Sequence, residues 1–412
     1  MVLDPKGELY KATSAWRAAN VGPVYRWAPF DDGSSGLPCH GFNPLLGFRS
    51  EADADNLASV LFPKDARSPE FFADDAIACM KALMLWVLKS PAPERRNLVS
   101  VFKMACLPTA EFKALMENGL ARSDDPVLVA TAYNILGKSG DRGLPNLRDS
   151  LFAKISKWLV PTLLDSLRAD DFRFATLKDQ PATVYLEVPF DKMETYAPVL
   201  RLMLQSALDG MLHNPVVPKI PVLFVLDEFL QLGPYPQFRN AIRTHAGAGV
   251  RLWFFLQDLA GIEEHYPNGW KPFFNCAVQQ FFGVNDPSTA RMISEDILGM
   301  RTVAYRSTNA SGNISGSSGQ WKDPGNSGVN MSTGESIQFA ARPLMTHDEI
   351  MALLSGWADE NEGRRLGIVK IAAAPRPFQV HLSVYGRSKT LKEREGTWLP
   401  ATAHQEGSNA VP

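Results

Sequence analysis

The sequence predicts an α/β protein: a parallel sheet with helices on both faces, interrupted by a block of pure helix. Three observations carry this. From about residue 180, short apolar runs alternate with amphipathic helical stretches; "TVYLEV" (183–188), "PVLFVLDEF" (221–229) and "VRLWFFLQD" (250–258) are the clearest. Continuously apolar strands are those covered on both faces, and strands alternating with helices form parallel sheets. Residues 50–168 instead carry the 3–4 spacing of helices and no strand pattern. At the start, Val2 and Leu3 read as half a strand running into a turn at Asp4, Pro5 and Gly7. A domain opening so abruptly is expected to lack its first strand and helix.

Taken in order, a helix is expected from about Leu9, then a short strand Val24–Trp27 ending at Pro29. "DDGSSGLPCHGFNPL" is a loop by its Gly, Ser, Pro and Asp content. In the helical block, Ser68 and Pro69 suit an N-cap and first helical position. Phe72, Ala76, Ile77, Met80, Leu83, Met84, Val87 and Leu88 then form one apolar stripe, which reads as packing rather than a ligand site. After "TVYLEV", the stripe Tyr196, Val199, Leu200, Met203, Leu204, Ala207, Leu208, Met211 predicts a long helix. "FRNAIRTHAGAG" is a helix stopped by Gly247 and Gly249, and "CAVQQFFG" a further buried strand. Asp286 as N-cap, Pro287 and Gly299 bound the next helix. Residues 307–336 hold 14 Gly or Ser and predict a flexible loop. Thr346 and Glu349 make a capping box, "IVKIAAA" and "FQVHLSVY" are closing strands with the second at an edge, and the tail after Pro400 reads as disordered.

Composition narrows the chemistry. At 412 residues, 45% hydrophobic, 21% charged and a net charge of −2, this is an ordinary globular chain with no global basic excess. Four scattered cysteines without a CxxC, and seven histidines without HxxxH spacing, exclude a zinc ribbon, a disulfide scaffold and a histidine metal cage. No run of 18 apolar residues occurs, so the chain as given is expected to be cytoplasmic.

The acids Asp227 and Glu228 end one apolar strand, and Gln257 ends the next. If those strands are neighbours, the three converge in the crevice where parallel sheets bind ligands. In nucleotide hydrolases an aspartate so placed holds Mg²⁺, usually through water, and the next acid polarises the attacking water. The bland alternative is an aspartate that caps a helix or pairs with an arginine. The phosphate-binding string GxxxxGK[ST] is missing. "AYNILGKSG" (132–140) has Ala132 for its first glycine and follows a helix, so it reads as a helix end capped by Gly137; "GRSKT" (386–390) lacks the spacing. A GxGxxG turn after a strand is also absent, which ranks a dinucleotide-binding enzyme last.

"VLDPKGELYKATSAWR", "GFNPL", "FFADDAIACMKALMLWVL", "VLFVLDEFLQLG", "AGAGVRLWFFLQDLAGIEEHY", "FFGVNDPSTARMISEDILGMRTV" and "RPLMTHDEIM" together resemble the VirD4/TraG family of type IV secretion coupling proteins, from residue 2 to about 385 and in the family's order. The resemblance implies a RecA-like P-loop NTPase sheet with an inserted all-α domain, truncated at its N-terminus. The family's membrane anchor and phosphate loop precede the point where this sequence begins. It implies nucleotide-binding segments at 1–49, 169–306 (with the Walker B pair) and 337–398, around the all-α domain 50–168, the Gly/Ser loop 307–336 and the tail 399–412. Asp227 and Glu228 correspond to the Walker B pair, with Asp227 on Mg²⁺, and Gln257 to a sensor glutamine. Arg243, or Arg251, is a candidate arginine finger. ATP and Mg²⁺ are the implied cofactors. Single-stranded DNA, relaxase and relaxosome proteins and secretion-channel components are the implied partners of a homohexamer at the cytoplasmic face of the bacterial inner membrane. DNA contact would come from basic loops, and the short clusters are Arg95–Arg96, Arg364–Arg365 and Lys389, Lys392, Arg394. The rival reading is an inactive copy that only binds substrate or partner.

Overall fold

The computed structural model describes residues 1–63, 70–138, 143–267, 269–314, 329–355, 365–383 and 385–400. The expected cap at Ser68 and Pro69, Arg364 and the tail after Pro400 lie outside them. The chain divides into two compact units: Met1–Gln257 with Gly261–Phe273 and Ser388–Pro412, and Asp258–Ala260 with Phe274–Arg387.

The first unit opens with β1 (Val2–Leu3), α1 (Glu8–Asn20) and β2 (Val24–Trp27). Seven helices follow: α2 (Glu51–Leu61), α3 (Glu70–Leu88), α4 (Leu98–Ala105), α5 (Thr109–Asn118), α6 (Pro126–Leu136), α7 (Gly143–Ile155) and α8 (Pro161–Ser166). Helix α3 packs against α2, α4, α6 and α7, and Leu57, Met80, Leu83, Phe102, Phe112 and Leu151 are completely or almost completely buried. The stripe read from the sequence is thus packing. The string "AYNILGKSG" is a helix end: α6 stops at Leu136, Gly137 N–H donates to Tyr133 O at 2.8 Å, and Lys138 pairs with Asp75.

Then come β3 (Thr183–Leu186), α9 (Phe190–His213), β4 (Val222–Leu226), α10 (Pro236–Thr244) and β5 (Val250–Phe254). The five strands form one parallel sheet in the order β2-β3-β1-β4-β5. Strand β1 is its centre, with Leu3 opposite both Leu186 and Leu226. Leu3, Tyr185, Leu186, Phe224 and Leu226 are all inaccessible to water, as expected for strands sandwiched between helices. Helix α9, between β3 and β4, buries twelve of its side chains. Gly249 ends the turn after α10 in the left-handed conformation (φ 77°), as the sequence anticipates.

The chain goes on through α11 (Leu259–His265) and α12 (Lys271–Phe274). The second unit holds β6 (Val278–Phe281), α13 (Pro287–Met292), β7 (Met300–Ile314), β8 (Val329–Pro343), α14 (His347–Ser355), β9 (Arg365–Ile371) and β10 (Phe378–Leu382). Two sequence expectations change here. Strand β6 is not a buried parallel strand. It is an edge of an antiparallel sheet, order β10-β9-β6, with Val278 and Gln280 exposed, Gln279 half-buried and Phe281 buried. Residues 307–314 and 329–336, expected as loop, continue the antiparallel ribbon of β7 and β8, which pairs Met300 with Pro343 through to Ile314 with Val329. A backbone ladder satisfies its own donors and acceptors whatever the side chains, so Gly and Ser content underestimates it. The remaining element, α15 (Lys389–Lys392), belongs to the first unit. Among the described residues no helix is long and apolar enough to cross a membrane.

Candidate functional site

Strands β4 and β5 are adjacent and parallel, with Leu226 opposite Phe254. Asp227 and Glu228 therefore leave the carboxyl end of β4 beside the segment that carries Gln257. The Gln257 side-chain amide donates from Nε2 to Glu228 Oε2 at 3.0 Å. The convergence expected from the spacing is present.

The local geometry of the pair follows from what comes next. Phe229 is 1% exposed, packed against the rings of Phe238, Phe254 and Phe273 with centroids 4.7, 5.6 and 5.7 Å away. Turning the chain so that Phe229 dives inward while Glu228 stays at the edge requires a left-handed residue. Glu228 takes it, at φ 51°, ψ 41°, and is the one positive-φ residue other than glycine among the described residues. That conformation costs a side-chain-bearing residue about 1–2 kcal/mol. Strain of this kind is kept where surrounding contacts over-determine it, and it clusters at functional sites. The turn is held from behind by Arg201 of α9, which donates from Nη1 to Leu232 O at 2.8 Å and Pro234 O at 3.4 Å. Tyr235 completes that buried support, donating to Gln205 Oε1 at 2.8 Å.

A third acid stands at this edge that spacing did not reveal. Asp4 follows β1 directly and is 1% exposed, and its Oδ2 accepts the Tyr10 N–H at 2.7 Å at the start of α1. Burial pushes its carboxyl up, against hydrogen bonds from the Tyr10 and Leu9 backbone, and the charges of Glu187 and Asp227 push it further. The signal was in the sequence: Val2-Leu3-Asp4 repeats Val225-Leu226-Asp227, and the two tripeptides lie side by side in register, Val2 against Val225 and Leu3 against Leu226. Beyond Asp4, Glu187 ends β3, but Arg26 neutralises it with contacts of 2.5 and 3.0 Å and also pairs with Asp31 at 2.7 Å.

Asp227 and Glu228 are half-buried, so their oxygens remain accessible. Asp227 Oδ1 is engaged by the Glu228 N–H at 3.2 Å. A hard carboxylate at a strand end, open to solvent, fits Mg²⁺, which takes one or two protein carboxylates and completes its shell with water and phosphate oxygens. Arg243 is exposed in the last turn of α10 and lines a cleft with Arg239 and Lys271, a cleft bordered by neither acid. Arg251 is also exposed and spends its guanidinium on Ala246 O and Val250 O at 3.2 and 3.0 Å. Of the basic clusters, Arg96 donates to Ser90 O at 2.8 Å and Arg394 lies 4.9 Å over the Trp16 ring, both packing roles.

The family described as "Type IV secretory system Conjugative DNA transfer" matches residues 1–356. The chain belongs to this family. Among its relatives, protein VirD4 of Rhizobium radiobacter is 28% identical over 337 residues, covering 76% of this chain and 46% of the relative. Conjugal transfer protein TraG of Escherichia coli is 24% identical over 380 residues, covering 86% and 57%. The chain thus spans about half the length of the curated relatives it matches. Among solved structures, the conjugative coupling protein TrwB in complex with ADP and Mg²⁺ superposes with a TM-score of 0.65 at 14% identity, over 93% of this chain and 78% of that one. TrwB in its trigonal form with sulphate gives the same TM-score, identity and coverage. That likeness gives the fold: a mixed α/β architecture with a parallel sheet and a helical domain.

Proposed function

We propose that this chain supplies the metal-and-water half of an ATP site in a type IV secretion coupling protein. ATP turnover there drives recruitment and transfer of single-stranded DNA and relaxase-type protein substrates to the secretion channel. One observation carries the reading: Gln257 and Glu228 meet at 3.0 Å at the carboxyl ends of adjacent parallel strands, beside Asp227. Two of the solved relatives hold an ATP analogue, and ADP with Mg²⁺, respectively.

In this reading Asp227 holds Mg²⁺, directly or through water. Held there, the ion would supply positive charge against the negative charge of the nucleotide phosphates. Glu228 accepts a hydrogen bond from the attacking water and orients it. Its carboxylate is half-buried and in reach of the Gln257 amide. Gln257, now on Glu228 Oε2, presents an amide that can exchange that partner for a phosphate oxygen and so couple occupancy to the position of the base.

The reading is tested in cells. Glu228→Gln in the gene that encodes this chain should lower conjugative transfer by orders of magnitude in a mating assay, with protein levels unchanged. Transfer at the wild-type frequency would contradict it.

A further inference from the structure

The cleft that holds Arg243 is a site of its own. It has a volume of about 520 Å³ and is lined by Arg239, Arg243, Pro267, Gly269, Trp270, Lys271 and Pro272. Arg239 and Arg243 are four residues apart on α10 and so share one helix face. Like charges at that spacing repel. Lys271, the first residue of α12, adds a third positive charge to the same cleft. Among the described residues none of the three is in an ion pair, in a chain whose 44 acidic residues outnumber its 42 basic ones. Arg239 lies against Gly269, its Nη1 2.2 Å from where a Cβ there would stand. Trp270, half-buried, adds an aromatic ring to the lining.

We infer that this cleft binds single-stranded nucleic acid, with phosphates on Arg239, Arg243 and Lys271 and a base against Trp270. Three unpaired cations call for a polyanion, and an aromatic face beside them favours one whose bases are unpaired and free to stack. The cleft volume falls within the ~300–1,000 Å³ of sites that take small ligands or single ligand groups, which suits one nucleotide unit of a longer strand. The choice of polymer rests on the family reading; the anion site rests on the cleft. None of these residues belongs to the basic clusters visible in the sequence, because the cleft assembles them from α10, the segment ahead of α12 and the start of α12.

The test is fluorescence anisotropy of a labelled oligo-dT with the 412-residue chain across a salt series. Arg243→Ala with Lys271→Ala, both exposed positions, should weaken binding at low salt by at least about tenfold and make the salt dependence shallower by about 1.4 in log–log slope, or about 0.7 per lost phosphate contact. Trp270→Ala should cost about tenfold, while Trp270→Phe retains most of the affinity. Unchanged affinity and slope in the double variant, with wild-type binding intact, would overturn the cleft and leave the family reading standing. Failure of the wild-type chain to bind oligo-dT would overturn the inference together with DNA contact by this chain. Displacement of the strand by tripolyphosphate at lower concentration than by unlabelled oligo-dT would reassign the cleft to free nucleotide phosphates and overturn the polymer assignment.

Discussion

Glu228 concentrates the argument in one residue. Its identity was legible from the "VLDEF" string and its partner from the position of Gln257, since neighbouring parallel strands bring their ends together. Its backbone was not legible, because no propensity predicts a glutamate in the left-handed region. That conformation is imposed by the burial of Phe229 one residue later and by Arg201 gripping the turn from α9. Asp4 was visible only as a turn residue, and pairing in register was needed to see it as the neighbour of Asp227. The strain makes a prediction. Glu228→Gly should be more stable than Glu228→Ala by about 1 kcal/mol, because glycine adopts the left-handed region without a Cβ penalty. Chemical denaturation of both variants checks this, and the reverse order would show that the turn is unstrained.

At the scale of elements, helix patterns were read well and strand partners less so. The stripes of α3 and α9, the cap at Asp286 and the stop at Gly249 follow from side-chain periodicity and from glycine. Strand β6 was misassigned because an apolar run says nothing about which strand it will pair with, and the β7–β8 ribbon because its ladder is backbone chemistry. How α9 seats against α2 was invisible in the sequence. Near its end, Asp209 lines a cleft of about 270 Å³ shared with Asp53 and His213. Burial raises its carboxyl from the ordinary 3.8 to about 6, against a hydrogen bond from Gln205 and the charge of His213, with Asp53 adding to the rise. The sign is fixed by the direction. A carboxyl that is harder to ionise in the fold costs nothing below pH 3.8, and its full cost is present above pH 6. A difference of that size corresponds to about 3 kcal/mol. Asp209→Asn keeps an acceptor for the Gln205 amide, which now donates to Oδ1 at 2.8 Å. It should therefore raise stability at pH 7 by about 2–3 kcal/mol and leave it unchanged near pH 3.5. Melting curves across pH decide, and a gain independent of pH would mean that Asp209 does not titrate abnormally.

Across the whole molecule, a chain of the conjugative DNA transfer family presents one acidic sheet edge. The carboxyl edge of the sheet carries Asp4, Asp227, Glu228 and Gln257, while the string GxxxxGK[ST] does not occur in the 412 residues. In the proposed function the acids act opposite a phosphate cradle. The most direct measurement therefore places this chain behind a strand–GxxxxGK[ST]–helix segment and compares Glu228→Gln with wild type in both Mg-ATP binding and Mg-ATP hydrolysis. Removing one water-activating group costs about 10²–10⁴ in rate, while an isosteric amide leaves the binding contacts in place. The account predicts nucleotide affinity within about threefold of wild type and hydrolysis lowered at least about a hundredfold. Hydrolysis by Glu228→Gln at the wild-type rate would contradict it.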